Sequence, residues 1–335
     1  MKLEEIQNKG VFFYHDDNFI LGYLSCCLAE GLYELGIPIH CNKNLNVSQY
    51  TNFIFKRTNI SMHDAAVFII DLSNFQTGGE MTRPSNLPKN TVAVTISDNA
   101  TFLRSEIPIL IPHQNKFYVD RKSKNIPWAF GMTNKIINEG GKEFFNFNER
   151  EKIILRNFRA TNNQSIRMAG DLAFIPYLEK FFKIDSHVED MRFRDFHLFG
   201  DSHFLRLKKY IGCAAYGGMF FEPFFSNVDN YFGTFLKTPV IFRWDSWRFW
   251  ESLACGCLTF ALDFEKYGFI LPVLPENFKH YIGLNFENPK ECFDRLEAEW
   301  ENIPKIAEEG RKWAIANYSP KASAQRFLKI IMNIF

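Results

Sequence analysis

The sequence predicts an α/β protein of two domains, each built on a parallel sheet. Three observations carry that reading. Short, continuous apolar runs recur along the chain, as strands covered on both faces require. Segments of helical periodicity stand between them. The length of 335 residues exceeds one ordinary domain and suits two.

The elements follow in order. Gly10-Val-Phe-Phe-Tyr14 is a β-branched and aromatic run, fit for a buried strand. His15-Asp16-Asp17-Asn18 breaks it with turn chemistry. From Phe19 to Leu35, leucines 21, 24, 28, 32 and 35 share one broad helical face, and Gly36 stands where a helix favours glycine. Ile37–Cys41 is the next strand, so the chain opens as a βαβ unit. Ala65–Asp71, Thr91–Asp98 and Ile107–Ile111 continue the sheet, with a Gly- and Pro-rich loop over 76–90. Residues 116–150 are less regular and mark the passage between domains. A second set follows: a strand over 152–158, a helix over 165–182, a strand at Pro239–Phe242, a helix from Ser246 to Cys255 stopped by Gly256, a strand at Cys257–Leu262, and a short edge strand within 281–286. Three helices close the chain, the last opening at Ser319-Pro320 with proline in its first turn. The expected division is 1–150, 151–318 and a closing helix over 319–335.

Composition excludes several function classes. The net charge is +1, and no run of Lys or Arg suits a phosphate-tracking stripe, so no nucleic-acid partner is expected. Seven cysteines in no regular spacing read as reduced thiols. The start Met-Lys-Leu-Glu-Glu lacks the bases and apolar run of a signal peptide, and no apolar stretch is long enough to span a bilayer. A cytoplasmic protein is expected, with room for peripheral membrane contact only. Neither G-x-G-x-x-G nor G-x-x-x-x-G-K-[ST] occurs, which argues against a dinucleotide dehydrogenase or a P-loop enzyme. No His, Asp or Glu cluster has metal-ligand spacing, so no metal and no cofactor are expected.

The segment richest in chemistry is Arg243-Trp-Asp-Ser-Trp-Arg-Phe-Trp-Glu-Ser-Leu-Ala-Cys-Gly256. Asp245 or Ser246 can cap a helix there. A helix start carries partial positive charge and free N–H donors, which favours an anion. Arg248, in the first turn, opposes the helix dipole unless an anion offsets it, and Arg243 adds to the same field. Glu251 lies one turn beyond Arg248 on the same face and could accept two ribose hydroxyls. On spacing alone, an Arg248–Glu251 surface ion pair is the simpler reading.

Ser246-x-Arg248-x-x-Glu251-x-Leu253-Ala254-x-Gly256 resembles the donor-site signature of GT-B glycosyltransferases, closest to the exostosin-like and group 1 families. Phe158-Arg159-Ala160-Thr161, with Arg167 beyond it, is similar to the motif opening the second domain of exostosin-like enzymes; Ala160 stands where that family carries glycine. The tail from Gly310 to Pro320 looks like the family's closing helices. The resemblance spans roughly residues 156–335. In the first half it is limited to the βαβ opening and Leu28–Gly36.

The resemblance implies two Rossmann-like domains facing across a cleft, an acceptor side followed by a donor side, with the last helix returning towards the first domain. It implies transfer of a sugar from a nucleotide-sugar donor to a glycan or another hydroxyl acceptor, without a metal. Glu251 would meet the ribose, with Ser246 and Arg248 in the donor pocket. Such a transfer builds negative charge on the leaving diphosphate, and preorganised cations stabilise it. Arg159, Arg243 and Arg248 are the candidates, with Lys237 beside them. An inverting reaction also needs a general base. Asp16 and Asp17, with His15, stand at the end of the first strand, the edge where α/β sheets place ligands. A helix-capping acid followed by a solvated one would give the same residues. Two other readings stay open: a nucleotide-sugar epimerase of this fold, and a non-catalytic nucleotide-sugar-binding protein.

Overall fold

The structure, a computed structural model, describes residues 1–15, 23–45, 51–72, 86–94, 106–117, 124–141, 146–159, 165–187, 199–221 and 240–335. In chain order the first elements are α1 (Leu3–Lys9), β1 (Val11–Tyr14), α2 (Tyr23–Glu34), β2 (Ile39–Cys41), β3 (Val67–Asp71), β4 (Thr91–Val94), β5 (Ile109–Ile111), β6 (Asn125–Pro127) and α3 (Asn134–Gly141). Then come β7 (Glu151–Leu155), α4 (Ser165–Leu178), β8 (Lys183–Asp185), α5 (Phe199–Lys209), β9 (Tyr210–Ala214), β10 (Met219–Phe221) and β11 (Val240–Phe242). The chain ends with α6 (Trp247–Ala254), β12 (Leu258–Leu262), β13 (Ile282–Leu284), α7 (Pro289–Ala298), α8 (Ile303–Tyr318) and α9 (Pro320–Ile334). Two compact units result. One comprises Met1–Pro112, Asp120–Ile137 and Ile315–Phe335; the other comprises His113–Val119 and Asn138–Ala314.

The first unit holds a six-stranded sheet in the order β2-β1-β3-β4-β5-β6, parallel at every pairing. Every residue of β3, β4 and β5 is buried, the pattern of strands covered on both faces. Helix α2 ends where expected. Gly36 takes φ 73°, and the bonds Ile37 N–Leu32 O and Gly36 N–Tyr33 O, both 3.0 Å, close a Schellman motif. Gly31, inside α2, serves a different need. A Cβ there would lie 1.9 Å from the Pro320 carbonyl oxygen, so the first turn of α9 packs directly against the glycine backbone. That turn is pre-set by Ser319, whose side chain accepts from Ala322 N, and by proline at the helix start.

The second unit holds a five-stranded sheet in the order β13-β12-β9-β7-β8, also parallel throughout. Both sheets are thus Rossmann-like in their parallel pairing. Two segments depart from the sequence reading. Val240–Phe242 is a strand but pairs antiparallel with β10 in a separate two-stranded ribbon. Apolar content predicts a buried strand; it does not name the partner. Residues 125–127 and 134–141, within the stretch read as irregular, form β6 and α3. A three-residue strand ending in proline gives almost no pattern, and proline is tolerated there because β6 lies at the sheet edge.

Candidate functional site

Helix α6 starts above the second sheet, and its sequence explains its posture. Phe249, Trp250, Leu253 and Ala254 are buried. Trp250 stacks on Trp313 with centroids 6.1 Å apart, and Phe249 packs against Phe264 and Tyr281. Burying each such side chain stabilises the unit by about 1.5–3 kcal/mol. At the far end, the guanidinium of Arg150 donates to Cys255 O at 2.6 Å and that of Arg311 to Ala254 O at 2.9 Å. Two cations on the last carbonyls complement the helix dipole and fix the axis. Gly256, at φ 66°, then turns the chain into β12.

The entry to α6 is equally constrained. Arg243 adopts φ 55°, a left-handed conformation uncommon for a residue with a side chain. His113, at φ 64°, does the same on the segment it touches: its Nδ1 accepts from Asp245 N at 3.0 Å, and Trp244 Nε1 donates to Gln114 O at 3.2 Å. The capping expectation needs correction for one of its two candidates. Ser246 is the N-cap residue, but its side chain makes no capping bond. The Asp245 carboxylate accepts from Trp250 Nε1 at 2.7 Å. Asp245 and Ser246 are buried, and a narrow cavity runs beside them past Tyr216, Gly217 and Phe249. The more open edge of the helix start carries Trp247 and Arg248, both half-buried.

Arg248 and Glu251 meet neighbours from other elements. Arg248 Nε donates to the carbonyl of Asn157, two residues past β7, which lays the first turn of α6 over the carboxyl edge of the sheet. Glu251 is 9% exposed, so the surface ion pair read from spacing does not form as such. Its Oε2 lies 3.0 Å from Nε2 of His203 on α5. The opposite ring nitrogen, Nδ1, lies 3.2 Å from Asn157 Nδ2. An ionised carboxylate only accepts, so Nε2–H donates to Glu251 while Nδ1 faces the Asn157 amide. Burial alone would push the Glu251 carboxyl up; His203, and then the Arg248 charge, outweigh it and hold the group below its ordinary value. Glu251 is therefore a buried, ionised acceptor.

The remaining candidates are placed less centrally. Arg159 is exposed, and its carbonyl accepts from Arg167 at 3.2 Å. Phe158 beside it is buried beneath the guanidinium groups of Arg156 and Arg167, 4.3 and 5.4 Å from its ring. Ala160, Thr161 and Lys237, and the base candidates Asp16 and Asp17, lie outside the described residues. His15, at the end of β1 in the first unit, is buried between Phe13 and Phe55. Burial, helped by Lys43, pushes its ring down to about 3, so it is neutral at physiological pH. His203 and Asn157 were not singled out from sequence. A histidine 48 residues from the glutamate it bonds leaves no local pattern; only the position of Asn157 just before the Phe158-Arg159 motif hinted at it.

No protein-family model matches the sequence, and no curated protein matches it. Solved structures do. An α-glucosyltransferase in complex with UDP-glucose and DNA containing an abasic site aligns over 96% of this chain and 98% of its own, at 9% identity and a TM-score of 0.53. A glycosyltransferase from Rickettsia africae ESF-5 aligns over 98% of this chain and 99% of its own, at 11% identity and a TM-score of 0.51. At such identities the likeness is one of fold: the two parallel-sheet units are those of GT-B glycosyltransferase structures.

Proposed function

We propose that this chain is a glycosyltransferase that takes a sugar from a nucleotide-sugar donor and passes it to a hydroxyl group. The observation that carries this reading is Glu251: a buried, ionised carboxylate one turn beyond Arg248 in the first half of α6, at the carboxyl edge of a parallel sheet. A carboxylate accepts hydrogen bonds from vicinal hydroxyls, and a helix start with arginines favours a diphosphate. A nucleoside diphosphate presents both groups in sequence. The second unit is the donor side in this reading, and the first unit the acceptor side.

In the reaction, the acceptor oxygen forms a bond to the anomeric carbon, and the bond from that carbon to the diphosphate oxygen breaks. Charge then gathers on the leaving diphosphate. Arg243, Arg248 and Arg159 stabilise it, with Ser246 at the helix tip, and no metal is needed. If configuration inverts, Asp16 or Asp17 takes the acceptor proton. The α-glucosyltransferase of like fold is in complex with UDP-glucose and DNA, so acceptors worth trying include duplex DNA as well as glycans. The near-neutral charge of this chain favours glycans. All seven cysteines are free and buried, in keeping with a reducing, cytoplasmic setting.

Calorimetric titration with a panel of nucleotide sugars, followed by turnover with glycan and DNA acceptors, tests the proposal. Saturable binding and nucleoside diphosphate release that depends on an acceptor support it. Binding with sugar isomerisation and no acceptor dependence would favour an epimerase. Binding without any turnover would leave a binding protein.

A further inference from the structure

Glu251 needs more than burial to serve as a ligand. An unrestrained carboxylate rotates about its terminal torsion and presents either oxygen. Here the rotation is stopped. His203 Nε2 engages Oε2 at 3.0 Å. His203 is itself held through Nδ1 by Asn157 Nδ2 at 3.2 Å, and the Asn157 carbonyl accepts from Arg248. The chain Arg248–Asn157–His203–Glu251 therefore joins the α6 first turn, the segment after β7, and α5, then returns to α6 one turn on. His203 and Asn157 are 6% and 4% exposed, so the link is buried. Among the described residues, Glu251 Oε1 takes no hydrogen bond.

We infer that His203 is a positioning residue: it holds Oε2 so that Oε1 alone faces the ribose hydroxyls of the bound nucleotide. This rests on the donor-site reading above and adds to it a residue from a different helix. The division of labour is chemically specific. One oxygen spent on a fixed N–H donor leaves the other at a set angle, so the two ribose hydroxyls are recognised by one acceptor whose direction is fixed before binding. Removing the imidazole would free the carboxylate to turn away. Pre-organisation would be lost.

The test compares ribose recognition among variants. UDP, GDP and ADP, each with its 2′,3′-dideoxy counterpart, are titrated calorimetrically into the full-length protein and its variants. In the native protein the nucleotide that binds loses about tenfold or more in affinity when its hydroxyls are removed, the scale of a hydrogen bond to a charged group. Glu251→Gln shrinks that ratio. His203→Ala shrinks it too, while affinity for the dideoxy form stays near native. His203→Gln, whose amide N–H reaches as Nε2–H does, restores most of it. A merely structural histidine would lower affinity for both forms alike and leave the ratio unchanged. If Glu251→Gln abolishes the discrimination but His203→Ala and His203→Gln both retain it, the positioning role is overturned and the donor site stands. If the native protein binds none of the three, or shows no discrimination, or if Glu251→Gln keeps it, the donor site itself is overturned, and this inference with it. Thermal unfolding of each variant identifies any loss of fold, and His203→Gln decides if His203→Ala fails to fold.

Discussion

The first strands of the two sheets, β1 and β7, end in opposite chemistry. Past β1 stands His15, neutral, packed between phenylalanines, with its backbone tied to Asn42 at 2.9 and 2.8 Å. Past β7 stands Asn157, the hinge of a link from Arg248 through His203 to Glu251. Both positions lie at a carboxyl edge, where α/β folds place ligands. One edge spends a histidine as an aromatic ring; the other spends one to hold a carboxylate charged. The same residue type, directly past one strand and on a helix beside the other, therefore says little until its neighbours are known. Burial lowers an imidazole's proton affinity, whereas an ionised carboxylate facing a ring N–H accepts from it.

The largest effect is expected from the residues next to His15. In an inverting reaction, replacing the operative acid, Asp16→Asn or Asp17→Asn, cuts turnover by about 100-fold or more and leaves donor affinity unchanged. Steady-state kinetics with calorimetry reads both, and if neither variant loses even tenfold, the base lies elsewhere. Next comes the charged edge. Glu251→Ala should weaken donor binding by about 1–3 kcal/mol, roughly 5- to 150-fold; native affinity in a folded variant would end the assignment.

A smaller effect concerns His15 and pH. Its folded value, about 3, lies below the unfolded value near 6.5, so the unfolded chain binds the extra proton first. The stability this burial permits is whole above pH 6.5 and declines as pH falls towards 3, by about 1 kcal/mol per pH unit. Urea midpoints from pH 7 to 4 should fall less steeply for His15→Leu than for the native protein; equal slopes would mean the ring is not buried neutral. Donor affinity of His15→Leu should stay within about threefold of native, because the donor side lies in the second unit in this reading. The smallest expected effect is none: chelation with EDTA should leave turnover unaltered, and a rate restored by added divalent cation would contradict the charge assignment to arginines.

Legibility varied with how local the signal was. The βαβ opening, the helix end at Gly36, the strand at 258–262 and the proline-led last helix could be read because their causes lie within a few residues. β6 was too short to show a period. The Val240–Phe242 strand was visible, but its antiparallel partner was not. At the site, Arg248 and Glu251 were found from their spacing on one helix turn. Their actual partners were not, since Asn157 and His203 arrive from other elements.

By itself the sequence determined the alternation of apolar strands and helices, and hence two α/β units with parallel sheets, because backbone periodicity and glycine or proline punctuation act over short distances. It also determined which helix turn carries both an arginine and a glutamate. Tertiary structure alone decided that Gly31 is a contact point for Pro320, that Glu251 is buried and held by His203, and that His15 is an uncharged ring. The physical reason is common to all three. Burial and pairing depend on which distant segment covers a residue, and the free energy of an ionisable group is set by that cover and not by its neighbours in the chain.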